Sequence, residues 1–537
     1  VVTRPVRTLG FGALALVLLT GCGAQATAGG GGDAGTPRVG GTLRLGISSN
    51  PDCVDPQQWG TNASLNVSRQ LVDSLTDQDP ADGAIKPWLA ERWEVNADST
   101  AFTFHLRDGA TFSDGTPVDA AAVKASFDGA RALGPKAALV AGYLAAYRGS
   151  TVVDPRTVRI DFTAPSAQFL QASSTMTLGV LAPAAYNKTP EQRCQGDGLI
   201  GSGPFVFESY KQNQQVVLVK RKGYNWGSPL WKHTGEAYLD RVEYRIVPEP
   251  GVRSGSLASG QLDAITDVQP VDEPQFAGNG FTEPVRPNPG IVFNLTANTT
   301  RGVLTDPKVR QAVAKGVNRQ EVVDTVLTKN YKAATSVLGS ATPLHTDLAG
   351  LLAYDPAGAG ALLDAAGWRP GPDGIRVKDG QRLSAAVVFS AVFNQNQSAL
   401  ELIQQQLRKI GFDLRIELKT TAESTQIQLS GEYDFIWFNV TRADPDILRQ
   451  TYSTKAGNRS KLTAGNPLDA ALEKQAATTD RAVREPAAAE AQRIIVEQGY
   501  SIPVFELTQV WGLGPKAHAL EFEASSRLRL YDAWVAE

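Results

Sequence analysis

The chain has 537 residues, enough for two or three domains and a large buried core. Its 52 basic residues nearly balance 55 acidic ones, so charge offers no reason to expect nucleic acid as a partner. Three cysteines, and four histidines at 105, 233, 345 and 518 without ligand spacing, argue against a site for bare metal.

Arg4 and Arg7 precede an apolar run, Leu9–Leu19, which is too short to span a bilayer comfortably. This predicts a signal peptide over 1–21. Leu19-Thr20-Gly21-Cys22 resembles the bacterial lipobox. The resemblance implies a diacylglycerol on the Cys22 sulfur and cleavage before it; an ordinary secretory signal is the alternative. Cleavage removes Arg4 and Arg7, leaving 50 basic against 55 acidic residues, a net charge of −5. Residues 22–40 are rich in Gly, Ala and Thr and read as a flexible tether with a mean reach of roughly 25 Å. The expected location is the cell envelope, lipid-anchored to the outer face of the cytoplasmic membrane. Export permits a Cys53–Cys194 disulfide. It would close about 140 residues and add roughly 4–5 kcal/mol in the loop-entropy model; two separate buried thiols are the alternative.

Gly41–Ile47 alternates and reads as a strand. In Ala101–Phe127, Phe102, Phe104 and Leu106 point one way and Thr103, His105 and Arg107 the other. Asp108-Gly109 predicts a hairpin turn and Asp114-Gly115-Thr116-Pro117 a second turn. Asp119 can cap a helix with Val123 and Phe127 on one face, giving an α+β subdomain. Past Gly290 the pattern changes. Asp306 with Pro307 opens a helix. Asn318 and Glu321 have capping-box spacing. A further helix starts at Asp355-Pro356 and stops at Gly367. Leu383–Ser390 is a strand; Ala399, Ile403, Leu407 and Ile410 form a helical stripe; Phe412–Leu418 and Tyr433–Val440 are strands. That is a βαβ unit with one more strand, so this half is α/β.

Catalytic signatures are missing: there is no H-E-x-x-H, C-x-x-C, P-loop or G-x-S-x-G. One G-x-G-x-x-A, at Gly10, lies in the signal peptide. Another, at Gly512, contains Pro515 with no helix signal after it. No cofactor, no metal and no enzymatic activity are expected.

The stretch "KPWLAERWEVNADSTAFTFHLRDGATFSDGTPVDAAAVKASF" resembles the signature of the bacterial extracellular solute-binding proteins of family 5, the oligopeptide, dipeptide and nickel binders of ABC importers. Pro87, Leu89, Trp93, Arg107, Asp114 and Gly115 stand in their motif places. Further similar blocks, from "GSGPFVFESY" to "EAQRIIVEQGYSIPVFEL", extend the resemblance over 41–537.

The resemblance implies a two-lobed periplasmic-binding-protein-like fold with a hinge and an extra subdomain in lobe one (cluster C type). Lobe one would be 41–290 with 506–537 returning to it, and lobe two 291–505. The crossovers would lie near Ile291–Leu295 and Ile502–Leu507. It implies capture of short peptides and delivery to a permease and ATPase complex, by a monomer. Loop residues Asn50, Pro51 and Asp52 would pair with the ligand backbone. Asp444, with Asp446 second, matches the aspartate that receives the ligand's α-ammonium. Here the spacing is about one residue longer, the following tyrosine is absent and the tryptophan lies earlier, at Trp437. A half-buried carboxylate demands a cation, which a free peptide amine, a basic side chain or Arg442 could each supply, and Trp437 and Arg442 count with Asp444 and Asp446 as ligand-binding candidates. Asn394, Gln395 and Asn396 follow a strand and are expected to line the cleft. The alternatives are an envelope regulator or assembly factor of the same fold, or a binder of a metal chelate, haem or sugar.

Overall fold

In the computed structural model, which describes residues 35–276, 278 and 280–537, the alternating stretch Thr42–Ile47 is a strand with Leu43, Leu45 and Ile47 buried. Cys22, the expected signal peptide and the first part of the tether lie outside the described residues. This strand sits inside a six-stranded sheet, in the order Gly512–Leu513, Ala264–Ile265, Thr42–Ile47, Arg241–Ile246, Gln215–Lys220, Phe205–Lys211. Thr42–Ile47 runs parallel to both neighbours.

Ala101–Leu106 buries Phe102, Phe104 and Leu106 as the alternation predicts. It is an inner strand of a four-stranded antiparallel sheet, between Ala90–Val95 and Thr157–Phe162. Asp108-Gly109 turns the chain, with Gly109 at φ +79°. It does not close a hairpin, because Thr157–Phe162 already occupies that strand edge. The chain beyond it makes one bridge, Thr111 with Pro117, around the Asp114-Gly115 turn. Asp119 then accepts from the Ala122 amide at 2.8 Å and caps the helix Ala120–Ala132.

The second half forms a five-stranded mixed sheet, in the order Asp413–Leu418, Ser384–Phe389, Phe435–Thr441, Gly290–Ala297, Ser501–Phe505. The helix Asn396–Lys409 joins the two parallel strands Ser384–Phe389 and Asp413–Leu418 and buries Ala399, Ile403 and Leu407. Asp306, Asn318 and Asp355 cap their helices. The capping box at Asn318 is half made: the Glu321 carboxylate accepts instead from Gln406, at 2.9 Å.

Two main core clusters go with the two sheets, and the second also takes in Leu257, Leu262 and Ile265 from the first-sheet side. Leu45, Phe104, Val242 and Tyr244 belong to the first; Phe293, Val313, Val387 and Phe435 belong to the second. The expected crossings at Ile291–Leu295 and Ile502–Leu507 overlap strands of the second sheet, Gly290–Ala297 and Ser501–Phe505. The segments that join the sheets are a two-stranded ribbon just outside them, Val285–Pro287 against Thr508–Val510. After the ribbon the chain adds Gly512–Leu513 to the first sheet, and Leu528, Leu530 and Tyr531 enter the first core. Cys53 and Cys194 are bonded, with Cα atoms 4.1 Å apart. No helix among the described residues is long and apolar enough to cross a membrane.

Candidate functional site

Parallel strands place loops at one common edge, their carboxyl ends. In the first sheet, Thr42–Ile47 runs out into Ser48 and Ser49, and its neighbour Ala264–Ile265 into Thr266 and Asp267. In the second, Ser384–Phe389 runs out into Val392–Gln395, and its parallel neighbour carries Asn439 and Thr441 at its end. The two edges face each other across a cleft of two connected chambers, about 510 and 320 Å³. Both chambers share Ser48, Ser49, Asn62, Asp267, Val392 and Asn439. Leu507, just before the ribbon strand, lines both chambers, and Thr508, Gln509 and Val510 of the ribbon line the smaller one, so the crossing borders the cleft.

Asp267 is the carboxylate common to both chambers. Its backbone has φ +57°, left-handed and unfavourable for a residue with a Cβ. Hydroxyls hold it there: Ser48 Oγ donates to Oδ2 at 2.6 Å and Thr266 Oγ1 at 2.9 Å. Beneath it, the buried Arg253 donates to four carbonyl oxygens, of Val247, Pro248, Thr266 and Asp267. Burial lowers the Arg253 pKa, and the nearby Asp267 charge partly offsets this. Arg253 thus rigidifies the loop that presents Asp267, while its own donors are spent. Among the described residues Asp267 has no ion-pair partner. Neutral hydrogen-bonding groups make up much of the remaining lining: Thr61, Asn62, Thr175 and Thr177 on one side, Asn439 and Thr441 on the other.

The lobes touch around this cleft. Gln450 Nε2 donates to the Gly142 carbonyl at 3.1 Å, and Gln78 Nε2 to the Ala443 carbonyl at 3.0 Å. Gln395 Nε2 donates to Gln269 Oε1 at 3.1 Å.

The expected site residues divide sharply. Asn394 and Gln395 line the smaller chamber. Asn396 does not: it is buried and accepts from Trp437 Nε1 at 2.9 Å. Trp437 stacks on Phe293 inside the second core, ring centroids 5.5 Å apart. Asn50, Pro51 and Asp52 form a tight turn beside the disulfide, off the cleft lining. Asn50 Oδ1 accepts from the Tyr210 hydroxyl and the Asn213 amide, and its Nδ2 donates to Asp52. The adjacent Ser48 and Ser49 take the cleft positions instead.

Asp444 lies outside both chambers. Arg484 donates to it at 2.5 Å and the Asp446 amide at 2.8 Å. It borders a separate cavity of about 240 Å³ with Pro445, Arg481 and Arg484. Asp446 is fully buried and held by Arg449 at 2.7 Å and Gln475 at 2.6 Å. Arg442 is buried, its guanidinium 4.0 Å over the ring of Tyr143, which lines the larger chamber. Asp267 escaped the sequence reading because its strand, Ala264–Ile265, has two residues and carries no alternation. The only trace is an aspartate just beyond a short apolar pair.

The sequence profile described as "Bacterial extracellular solute-binding proteins, family 5 Middle" matches residues 84–461. The nickel-binding periplasmic protein of Escherichia coli (strain K12) is 27% identical over 379 residues, 68% of this chain and 69% of that one. The glutathione-binding protein GsiB of Salmonella paratyphi A is 30% identical over 374 residues, 69% of this chain and 68% of that one. The crystal structure of NikA from Brucella suis in complex with Fe(III)-EDTA superposes with a TM-score of 0.80 at 24% identity, covering 92% of this chain and all of that one. That likeness shows the two-lobed fold.

Proposed function

The chain belongs to the bacterial extracellular solute-binding proteins of family 5, transport binding proteins of ABC importers and not enzymes; from that membership we propose that it captures short peptides in the interlobe cleft and hands them to a membrane permease and its ATPase. The observation that carries the peptide reading is Asp267. It is a carboxylate held at the cleft by hydroxyls, without an ion-pair partner among the described residues, and a ligand α-ammonium would complete it. The neutral donors and acceptors around it suit a peptide main chain, which is the same whatever the side chains. The glutathione-binding relative is named for a cargo of this kind, and the nickel-binding relative for a different one.

The reading includes a lipid anchor at Cys22 after removal of 1–21, a tether over 22–40, and a monomer. It assigns 41–290 with 506–537 to one lobe and 291–505 to the other. Asp267, Asn394, Gln395 and Asn439 are the proposed ligand contacts.

Native mass spectrometry of the purified protein tests this. Heterogeneous bound masses that resolve to short peptides on denaturation are expected. Asp267→Asn should weaken binding of peptides with a free amino terminus by roughly tenfold to a hundredfold, the worth of charge-assisted hydrogen bonds. It should leave N-acetylated peptides unaffected. A single non-peptide mass, or equal losses for both peptide types, overturns the reading.

A further inference from the structure

We propose that the cleft selects cargo with one large apolar side chain, gripped between Val392 of the second lobe and a wall of Leu65, Leu139, Tyr143 and Met176 in the first. The proposal rests on the interlobe cleft being the ligand site and deepens the peptide reading: main-chain recognition is blind to side chains, and this wall is not.

These residues all line the larger chamber, of about 510 Å³. The wall is built from three short helices, Asn62–Ser68, Ala138–Tyr143 and Met176–Leu178, the first two each packed against the third. Leu139 and Tyr143 are four residues apart on one helix, so both meet the chamber from the same face. Leu139 packs over bare backbone at Gly60, where a Cβ would lie 3.1 Å from its Cδ1. Leu65, Tyr143 and Met176 belong to the first core and Leu139 packs against it, so the wall is rigid before cargo arrives.

Val392 meets the chamber from the other lobe. It sits in the loop after the strand Ser384–Phe389, lines both chambers and is 68% exposed. A lone exposed apolar side chain is ordinary on a protein surface. This one shares a cavity with an apolar wall, and cargo lodged between the two would cover both. The charged residues lining this chamber are Asp267 and, from the returning C-terminal segment, Arg527, whose Nη1 donates to the Ser525 carbonyl at 2.5 Å. Neither belongs to the wall. A charged side chain laid on the wall would lose its water and gain no partner there.

Met176 is the chain's single methionine. Its unbranched, polarizable side chain adapts to the shape laid against it. The wall therefore discriminates by size and apolarity and treats leucine, methionine and phenylalanine alike. Because the two grips come from different lobes, the cargo side chain is fully buried only as the cleft closes on it, so a large apolar residue also favours closure.

Calorimetry on the purified protein would compare alanine tripeptides in which one residue, at each position in turn, is serine, aminobutyrate, leucine or phenylalanine. At one position affinity should rise about fourfold per added methylene, leucine exceeding alanine roughly tenfold to a hundredfold, with no gain from serine. Val392→Ser, at an exposed position, should weaken the leucine peptide about fivefold to tenfold and leave the alanine peptide unchanged; Leu139→Ala should do the same. Equal binding of alanine, serine and leucine peptides by the unaltered protein, or an equal gain at all positions, overturns the wall whether or not the variants fold, and leaves the peptide reading standing. A Val392→Ser variant that changes the two peptides equally, or changes neither, overturns the grip. If no peptide binds but free leucine does, and more tightly than free alanine, the peptide reading fails and the wall stands. Binding of neither peptide nor free amino acid overturns both.

Discussion

Gln395 of the second lobe donates its side-chain amide to Gln269 of the first across the cleft mouth, at 3.1 Å. The two residues leave opposite sheets, so this hydrogen bond exists only when the cleft is closed. A neutral amide pair contributes about 1 kcal/mol. Gln269→Ala should therefore weaken ligand binding about fivefold through a shifted closure equilibrium. Small-angle scattering should show a larger mean radius of gyration for the unliganded variant. An unchanged radius with unchanged affinity would remove the pair from closure.

Cys53 and Cys194 close a long loop within the first lobe, 141 residues apart in sequence. Replacing both by alanine should cost about 4–5 kcal/mol of stability in the loop-entropy model. The same bridge secures the base of the segment that brings Ser48, Ser49 and Asn62 to the cleft. Denaturant unfolding of the double variant, with and without reductant on the parent, would measure the loss. Reductant should lower the parent's stability to that of the variant and leave the variant unchanged.

Asp73 is fully buried and accepts hydrogen bonds from Trp226 Nε1 at 2.8 Å and the Tyr224 hydroxyl at 3.1 Å. Burial pushes its pKa up to about 7, against the opposing pull of Trp226 and Arg69. The folded state thus holds a proton that the unfolded chain has released, between about pH 4 and pH 7. Stability from this group is present below pH 4 and is lost as pH rises through 7, on the order of 4 kcal/mol. Asp73→Asn should flatten the fall in melting temperature between pH 5 and pH 8. A parent whose stability rises across that window would contradict the assignment.

Asp444 and Arg484 form a pair that is largely buried, and among the described residues Arg484 is otherwise held by Gln475 alone. Asp444→Ala strands a buried guanidinium and should cost about 3 kcal/mol of stability. Peptide affinity should stay within about twofold, since Asp444 lies off the cleft lining. Loss of affinity with stability retained would instead make this aspartate a ligand contact.

Local chemistry made much of the fold legible. Alternation in Ala101–Leu106, the caps at Asp119, Asp306 and Asp355, and the stripe through Ile403 and Leu407 each report short-range physics, and each is present. The Asp108-Gly109 turn misled because strand pairing is long-range: the partner lies some fifty residues on, at Thr157–Phe162. The cleft shows the same limit. Asn394 and Gln395 were readable from a strand end. Asp267, Asn439 and Arg527 come from three distant segments, and nothing in their neighbours says that they converge. The family resemblance points to Asp444 and Asp446, yet their partners, Arg484, Arg449 and Gln475, satisfy them within the second lobe.

The ribbon has a consequence for how this molecule could be rebuilt. Just beyond its paired strands, the Asn288 amide donates to the Leu507 carbonyl at 2.7 Å. Everything between those two residues leaves and re-enters the rest of the chain through one narrow doorway. In connectivity the second lobe is a cassette whose two seams lie side by side. Such modules tolerate excision and exchange when their ends are close. Grafting the corresponding cassette from a relative with another cargo would swap one jaw of the cleft, with Asn394, Gln395 and Asn439, and keep the jaw that bears Asp267 and Arg527.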